Sequence, residues 1–243
     1  MLIRALASDY DGTLATHGVV VPATLDALVR LKASGRKLIL VTGRQLPHLQ
    51  AIFPELELCD AVVAENGAVL YWPLLETEQV LAPAPPPVFV VALARRGVQP
   101  LEVGRSVVAT DAGHAPAVRA ALDELGLDWR LIFNKNSVMC LPRGVDKASG
   151  LAVALEALGL PASAVAGAGD AENDIRFLQV CGLAVAVSGA LEAVKDIADI
   201  VTSEDAGAGV ASFIDKLLDG EDDSLASIAC RRQVALGGAD ARG

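Results

Sequence analysis

Short apolar runs of strand length alternate along the chain with longer segments of helical period, the pattern of a parallel sheet covered by helices. Five runs are predicted to be sheet strands: Leu2–Ser8, Lys37–Val41, Ala61–Ala64, Ala164–Ala168 and Leu183–Val187. Each is followed closely by Asp, Thr, Gly, Asn or Ser, residues that suit turns and helix starts. Between the strands, Pro22 opens a helix that runs to about Ser34 and stops before Gly35. Pro in the first turn and Gly past the end are the expected punctuation. The segments Ala121–Leu127 and Ala154–Pro161 both end a helical pattern in Gly then Leu, as a Schellman-type stop does. They do not constitute a repeat, because the sequences before them differ.

From about Leu74 to Cys140 the pattern changes. A Pro-rich stretch (Pro83, Pro85, Pro86, Pro87) leads into a helix-like run, a strand-like run, a second helix and two strands. The last two flank Asn134-Lys135-Asn136, which reads as the turn of a hairpin. Residues 74–140 are therefore expected to be a small α+β insertion, with 1–73 and 141–218 forming one discontinuous α/β core. From Asp219 no period is sustained and glycines accumulate, so 219–243 reads as a polar tail or linker. Its apolar fragments, Ile228-Ala229 and Val234–Leu236, fit a segment that docks elsewhere or opens a further domain.

Composition narrows the function classes. With 243 residues, 53% apolar and 21% charged, the chain is globular and long enough to bury a sizeable core. A formal net charge of -10 without a basic run argues against nucleic acid or anionic lipid as partner and points to a small molecule. No apolar stretch approaches the length of a membrane span, and the opening MLIRALASDYD meets acidic residues too soon for a signal peptide. The expectation is a soluble, cytoplasmic protein. Cys59, Cys140, Cys181 and Cys230 lie far apart and form no CxxC pair, which speaks against a zinc site or disulfide framework. His17, His48 and His114 are scattered and read as surface or turn residues.

In open α/β sheets ligands bind at the carboxyl ends of the strands, so the residues just after each strand carry the candidate chemistry. They are Asp9-Tyr10-Asp11-Gly12-Thr13, Thr42-Gly43-Arg44, Glu65-Asn66-Gly67, and Gly169-Asp170-Ala171-Glu172-Asn173-Asp174, with Asp146-Lys147 after the insertion. Two carboxylates at alternate positions can divide nucleophilic attack and proton exchange, although a DxD before glycine is also a common N-cap or Asx turn. Asp170 and Asp174, after another strand, weigh against the turn reading. Converging acids repel one another unless a cation lies among them, and an all-oxygen site suits Mg²⁺ rather than zinc. Thr42 and the N–H groups after it can donate to a phosphate. Lys147, following a candidate N-cap at Asp146, would stand in a helix's first turn, where the macrodipole disfavours a cation unless an anion is near.

These segments resemble the motifs of the haloacid dehalogenase (HAD) superfamily, specifically its Cof-like branch with sugar-phosphate, sucrose-phosphate and phosphoglycolate phosphatases. DYDGTL resembles the first motif, VTGR the second, the lysine of GVDKASGL the third and GDAEND the fourth, in the family's order. ENGA at Glu65–Ala68 resembles a Cof-like signature, and the likeness spans roughly Met1 to Leu218. It implies a Rossmann-like core with helices on both faces of a parallel sheet. The interval from Asp11 to Thr42 is too short for a cap domain, so the cap would be the 74–140 insertion, similar to the small C2B type. The resemblance makes Asp9 the nucleophile that becomes an aspartyl phosphate and Asp11 the acid and then base. Lys147 would neutralise charge, Thr42, Gly43, Arg44 and Asn173 would surround the phosphate, and Asn66 and Gly67 would meet the substrate. Mg²⁺ would be bound by Asp9, the Asp11 carbonyl and Asp170, with Asp174 in support. The implied activity is hydrolysis of a small phosphorylated metabolite. A phosphomutase, or a regulatory HAD-like module joined to another domain through the tail, are the alternatives. Asp11 and the absence of an apolar span favour hydrolysis over a transport ATPase. Specificity is expected from the cap, where Arg95, Arg96, Arg105, Arg130, Asn134 and Lys135 are the polar candidates.

Overall fold

The computed structural model describes residues 2–219; the expected tail at 220–243, with Cys230, lies outside the described residues. The chain runs β1 (Ala5–Ser8), α1 (Pro22–Ala33), β2 (Lys37–Val41), α2 (Leu46–Ile52), β3 (Ala61–Ala64), β4 (Val69–Trp72) and β5 (Thr77–Val80). It continues through α3 (Pro87–Arg95), β6 (Glu102–Val103), β7 (Val108–Asp111), α4 (Ala115–Leu125), β8 (Trp129–Asn134) and β9 (Ser137–Pro142). It closes with α5 (Lys147–Leu158), β10 (Val165–Gly169), α6 (Ile175–Val180), β11 (Leu183–Ala186), α7 (Glu192–Lys195), β12 (Ile200–Val201) and α8 (Ala206–Leu218).

The main sheet has eight strands in the order β12-β11-β10-β1-β2-β3-β4-β5. The first six of these are parallel, and β4 and β5 run antiparallel at one edge. The central strands β1, β3 and β10 are buried at every position, so their apolar runs need no alternation. α1 and α8 pack together, and α5 packs beside α6. The helix punctuation follows the sequence. Gly126 and Gly159 are left-handed at φ +61° and +62°, and Leu127 N and Leu160 N donate back to Leu122 O and Leu155 O.

A second sheet, in the order β6-β7-β9-β8, carries α3 and α4 on one face over Phe89, Leu93, Val118, Leu122 and Cys140. A smaller apolar cluster of Ala68, Val107, Met139 and Leu141 joins this sheet to the end of the main one. The β8–β9 hairpin forms where it was expected, closing Asn134 on Ser137 around Lys135 and Asn136.

Four departures from the sequence reading concern strands, the first being Val69–Trp72, which was not expected and forms β4. Thr77–Val80, expected within the insertion, pairs with β4 (Trp72 opposite Thr77, Val69 opposite Val80) and is the edge strand of the main sheet. All four of its residues are exposed, so no buried face imposes an apolar pattern; backbone pairing alone recruits it. The single strand-like run expected after α3 is two short strands, and β12, only two residues long, gave no periodicity to detect.

Candidate active site

The strand order reverses its direction of growth at β1: the chain builds outward to β2 and β3 on one side and later to β10 and β11 on the other. Connections leave the carboxyl ends of β1 and β10 in opposite directions, and a crevice opens there. Because Ser8 lies opposite Ala168, Asp9 and Asp170 emerge side by side.

Within that crevice Lys147 Nζ lies 2.5 Å from both Asp9 Oδ1 and Asp174 Oδ1. All three side chains are buried. The lysine starts α5, whose N-cap is Asp146: the Asp146 carboxylate accepts from Ser149 N, and Asp146 N donates to Ser149 Oγ. Burial alone would lower the Lys147 pKa, but the charges and hydrogen bonds of Asp174 and Asp9 outweigh it and raise it, so the ammonium stays charged against the helix dipole.

The acids divide their lone pairs unevenly. Asp174 Oδ2 accepts from the backbone N–H groups of Asp170 and Ala171, which uses both of its oxygens. Asp170 Oδ1 accepts from Thr13 Oγ1 at 2.9 Å and its Oδ2 from Lys135 Nζ at 2.5 Å. Asp9 Oδ2 takes no hydrogen bond among the described residues. Burial pushes the Asp9 carboxyl well above the usual range; Lys147 opposes this, while Asp174 and Asp170 add to it. Burial also raises Asp170, with Asp174 adding and Lys135 and Thr13 opposing.

Oxygens of Asp9, Asp170 and Asp174 lie within 4.8 Å of one another. Gly12, at φ +83°, brings its backbone so close that a Cβ there would stand 2.4 Å from Asp170 Oδ2. A tight all-carboxylate nest, in which each acid already draws a lysine ammonium, fits a hard divalent cation.

Several expected site residues are engaged otherwise. Arg44, expected at the phosphate, makes a two-pronged salt bridge to Asp11, Nε to Oδ2 at 2.6 Å and Nη2 to Oδ1 at 2.7 Å, and lies over the Tyr10 ring. The Asp11 side chain is thus turned from the other three acids. Thr42 Oγ1 accepts from Arg44 N. Asn66 and Gly67, expected to touch substrate, are buried and line neither cavity at the site. Asn66 joins Asn173 at 3.0 Å to Met139 of β9. Gly67, at φ +102°, lies where a Cβ would strike Asp146 O at 1.9 Å, so it is the contact that lets α5 approach. Asn173 Oδ1 is buried without a partner.

Two cavities open on this arrangement. One of about 150 Å³ touches Asp9, Asp11, Gly43 and Arg44 and is roofed by Ala109, Ser137 and Met139 of the second sheet. The other, about 540 Å³, touches Asp11, Gly12, His17, Asp170 and the hairpin residues 134–137. Sequence reasoning left two participants, Thr13 and Glu65, without a role and did not single out a third. Thr13 stood inside the first motif, where its hydroxyl was the available signal. Lys135 was one cap candidate among six. Glu65, at φ +50°, reaches into the second sheet, where its carboxylate accepts from Arg105 N and Ser106 N at 2.9 Å each. Cys59, Cys140 and Cys181 are buried and form no disulfide among the described residues, and burial pushes the Cys59 and Cys140 thiols to about 12. No described helix is long and apolar enough to cross a membrane.

This fold and acid cluster define a hydrolase of the haloacid dehalogenase type. The chain belongs to that family: the profile of the haloacid dehalogenase-like hydrolases matches residues 6–83 and 106–214, and the protein is a phosphatase of the superfamily. It is 33% identical to phosphoglycolate phosphatase 1 of Saccharolobus solfataricus over 238 residues, 92% of this chain and 100% of that one. It is 29% identical to the phosphoglycolate phosphatase of Sulfolobus acidocaldarius over 90% of this chain and 99% of the relative. A Thermoplasma acidophilum crystal structure superposes with a TM-score of 0.78 at 18% identity, covering 89% and 99% of the two chains, a likeness of fold.

Proposed function

We propose that the protein hydrolyses a compact phosphomonoester whose alcohol carries a carboxylate, 2-phosphoglycolate being the type compound, with Mg²⁺ as cofactor and Asp9 as nucleophile. The observation that carries this reading is the buried Asp9–Lys147–Asp174 group beside Asp170, at the switch point of the sheet. The names of the relatives support the substrate class.

Asp9 Oδ2, free of donors, attacks phosphorus; the P–O bond to the alcohol breaks as an aspartyl phosphate forms. Asp11 supplies the proton that the leaving oxygen takes, which requires it to give up one of its two Arg44 hydrogen bonds. It then takes a proton from the water that cleaves the aspartyl phosphate, releasing phosphate and restoring Asp9. Lys147 keeps Asp9 oriented and balances the charge as the phosphoryl group arrives, the kind of fixed electrostatic support that phosphoryl transfer needs. Thr42 and the Gly43 N–H donate to phosphoryl oxygens in this reading. A magnesium ion held by Asp9, Asp170 and the Asp11 carbonyl would supply positive charge to the same oxygens, with Asp174 positioning Asp170 and Lys147.

The test is phosphate release from 2-phosphoglycolate with and without Mg²⁺. Hydrolysis is expected to stop with a chelator and in Asp9→Asn, whose folding is checked by circular dichroism. Activity surviving Asp9→Asn would overturn the mechanism.

A further inference from the structure

We propose that Lys135, at the tip of the β8–β9 hairpin, is the specificity-determining residue that receives the carboxylate of the substrate's leaving group. This rests on the phosphatase reading above and adds the group that selects among phosphate esters.

Three observations converge on it. The Lys135 ammonium reaches from the second sheet across to the main one and lies 2.5 Å from Asp170 Oδ2, so a cation from the hairpin is delivered to the reacting centre. Its side chain is 46% exposed at that point and, with Asn134 and Asn136, walls the cavity of about 540 Å³ that opens onto Asp11. That cavity lies on the side of the acid expected to protonate the leaving oxygen, and its size suits a small ligand.

The backbone makes the second argument. Lys135 has φ +50°, a left-handed conformation that costs a side chain other than Gly, Asn or Asp about 1–2 kcal/mol. Asn stands on either side of it, yet the strained position holds lysine. Its N–H is tied at 3.0 Å to Oε2 of Glu172, a residue of the fourth motif, so the tip is anchored where its ammonium is needed. Strain maintained at a ligand cavity is a mark of function rather than of folding.

The third argument is elimination among the cations. Lys147 is enclosed between Asp9 and Asp174, and Arg44 is committed by both prongs to Asp11. Among the described residues the Lys135 ammonium has one partner, Asp170, a proposed metal ligand. A divalent cation on Asp170 would compete with the ammonium and would leave a flexible, hydrated point charge facing the cavity.

The experiment compares the full-length chain and Lys135→Asn, with Mg²⁺, on 2-phosphoglycolate and on its neutral amide, 2-phosphoglycolamide. Asparagine suits the left-handed turn, so the variant is expected to fold at least as stably as the parent. The parent should prefer the carboxylate, and Lys135→Asn should lose about 10- to 100-fold in kcat/KM on it, mostly through KM, the size of one charge-assisted hydrogen bond. On the amide the change should stay below about 3-fold, while Lys135→Arg retains most of the preference. Equal losses on both esters would overturn the proposal. Equal hydrolysis of both by the parent would overturn it while leaving the phosphatase reading standing, and hydrolysis of neither would overturn both. A calorimetric titration with Mn²⁺ supplies a second readout. Unchanged or tighter binding in Lys135→Asn fits a substrate-facing lysine, whereas weaker binding assigns it to the metal site and overturns the proposal.

Discussion

Replacing Glu65 by glutamine tests how the second sheet is held over the site. The Glu65 carboxylate is buried, accepts the N–H groups of Arg105 and Ser106 at 2.9 Å each, and fits so closely beneath Gly104 that a Cβ on that glycine would stand 2.6 Å from it. Glutamine has the same length and meets the same backbone strain at φ +50°, so the substitution isolates the charge. Its oxygen can accept one N–H at neutral strength, while its NH₂ group faces the second N–H donor to donor. Two bonds to an ionised acceptor, at roughly 1.5–3 kcal/mol each, become one of about 1 kcal/mol plus an unsatisfied buried donor. The net loss is at least about 3 kcal/mol, which lowers the unfolding midpoint by roughly 6–12 °C or more for a chain of this size. Urea and thermal unfolding of the full chain read the global effect, and hydrogen exchange at the Arg105 and Ser106 amides reads the local one. If the second sheet opens by itself, the same loss shows as roughly 100-fold faster exchange at those amides. A change below about 0.5 kcal/mol with unchanged exchange would refute the reasoning, since surface substitutions already reach that size.

Two further predictions concern the supports of the site. Gly67→Ala places a Cβ 1.9 Å from Asp146 O at φ +102°, and a loss of about 3 kcal/mol or more is expected, whereas Gly126→Ala, at φ +61° with nothing within 4 Å, should cost about 1 kcal/mol. Equal unfolding midpoints for the two variants would contradict this. At Asp60 burial alone would raise the carboxyl, but hydrogen bonds from Lys32, Leu38 N and Lys37 outweigh it and hold it below the usual range. Its stabilisation is therefore present above the unfolded value near 3.9 and is lost as pH falls through the folded value, so Asp60→Asn should cost about 1–2 kcal/mol at pH 7 and progressively less as the acid range is entered. Denaturation curves for parent and variant that stay equally separated from pH 7 to pH 3 would sink the argument.

The parallel part of the fold was legible because burial on both faces demands continuous apolar runs: Ala61–Ala64 and Lys37–Val41 form with their expected bounds, and α1 starts at Pro22. The helix stops at Gly126 and Gly159 were equally legible, since each needs a left-handed residue. β5 was not, because its four side chains are exposed and only its backbone pairing with β4 makes it a strand. The acids were readable from their position after strands, and Asp9, Asp170, Asp174 and Lys147 do meet. The partnership of Arg44 with Asp11 was not readable: guanidinium and carboxylate attract each other as strongly as either attracts a phosphate or a metal, and spacing along the chain cannot choose between them.

By itself, then, the order of residues determined which chemical groups stand at the carboxyl ends of the strands, because local apolar period and turn chemistry suffice to place them there. Only the tertiary structure decided which of those groups touch. It set Gly67 against Asp146 as the gap that admits α5, made Glu65 a clamp on the second sheet, and brought Lys135 from the hairpin onto Asp170. Such contacts join residues far apart in the chain, and their geometry follows from packing two sheets against one another, which no local pattern encodes.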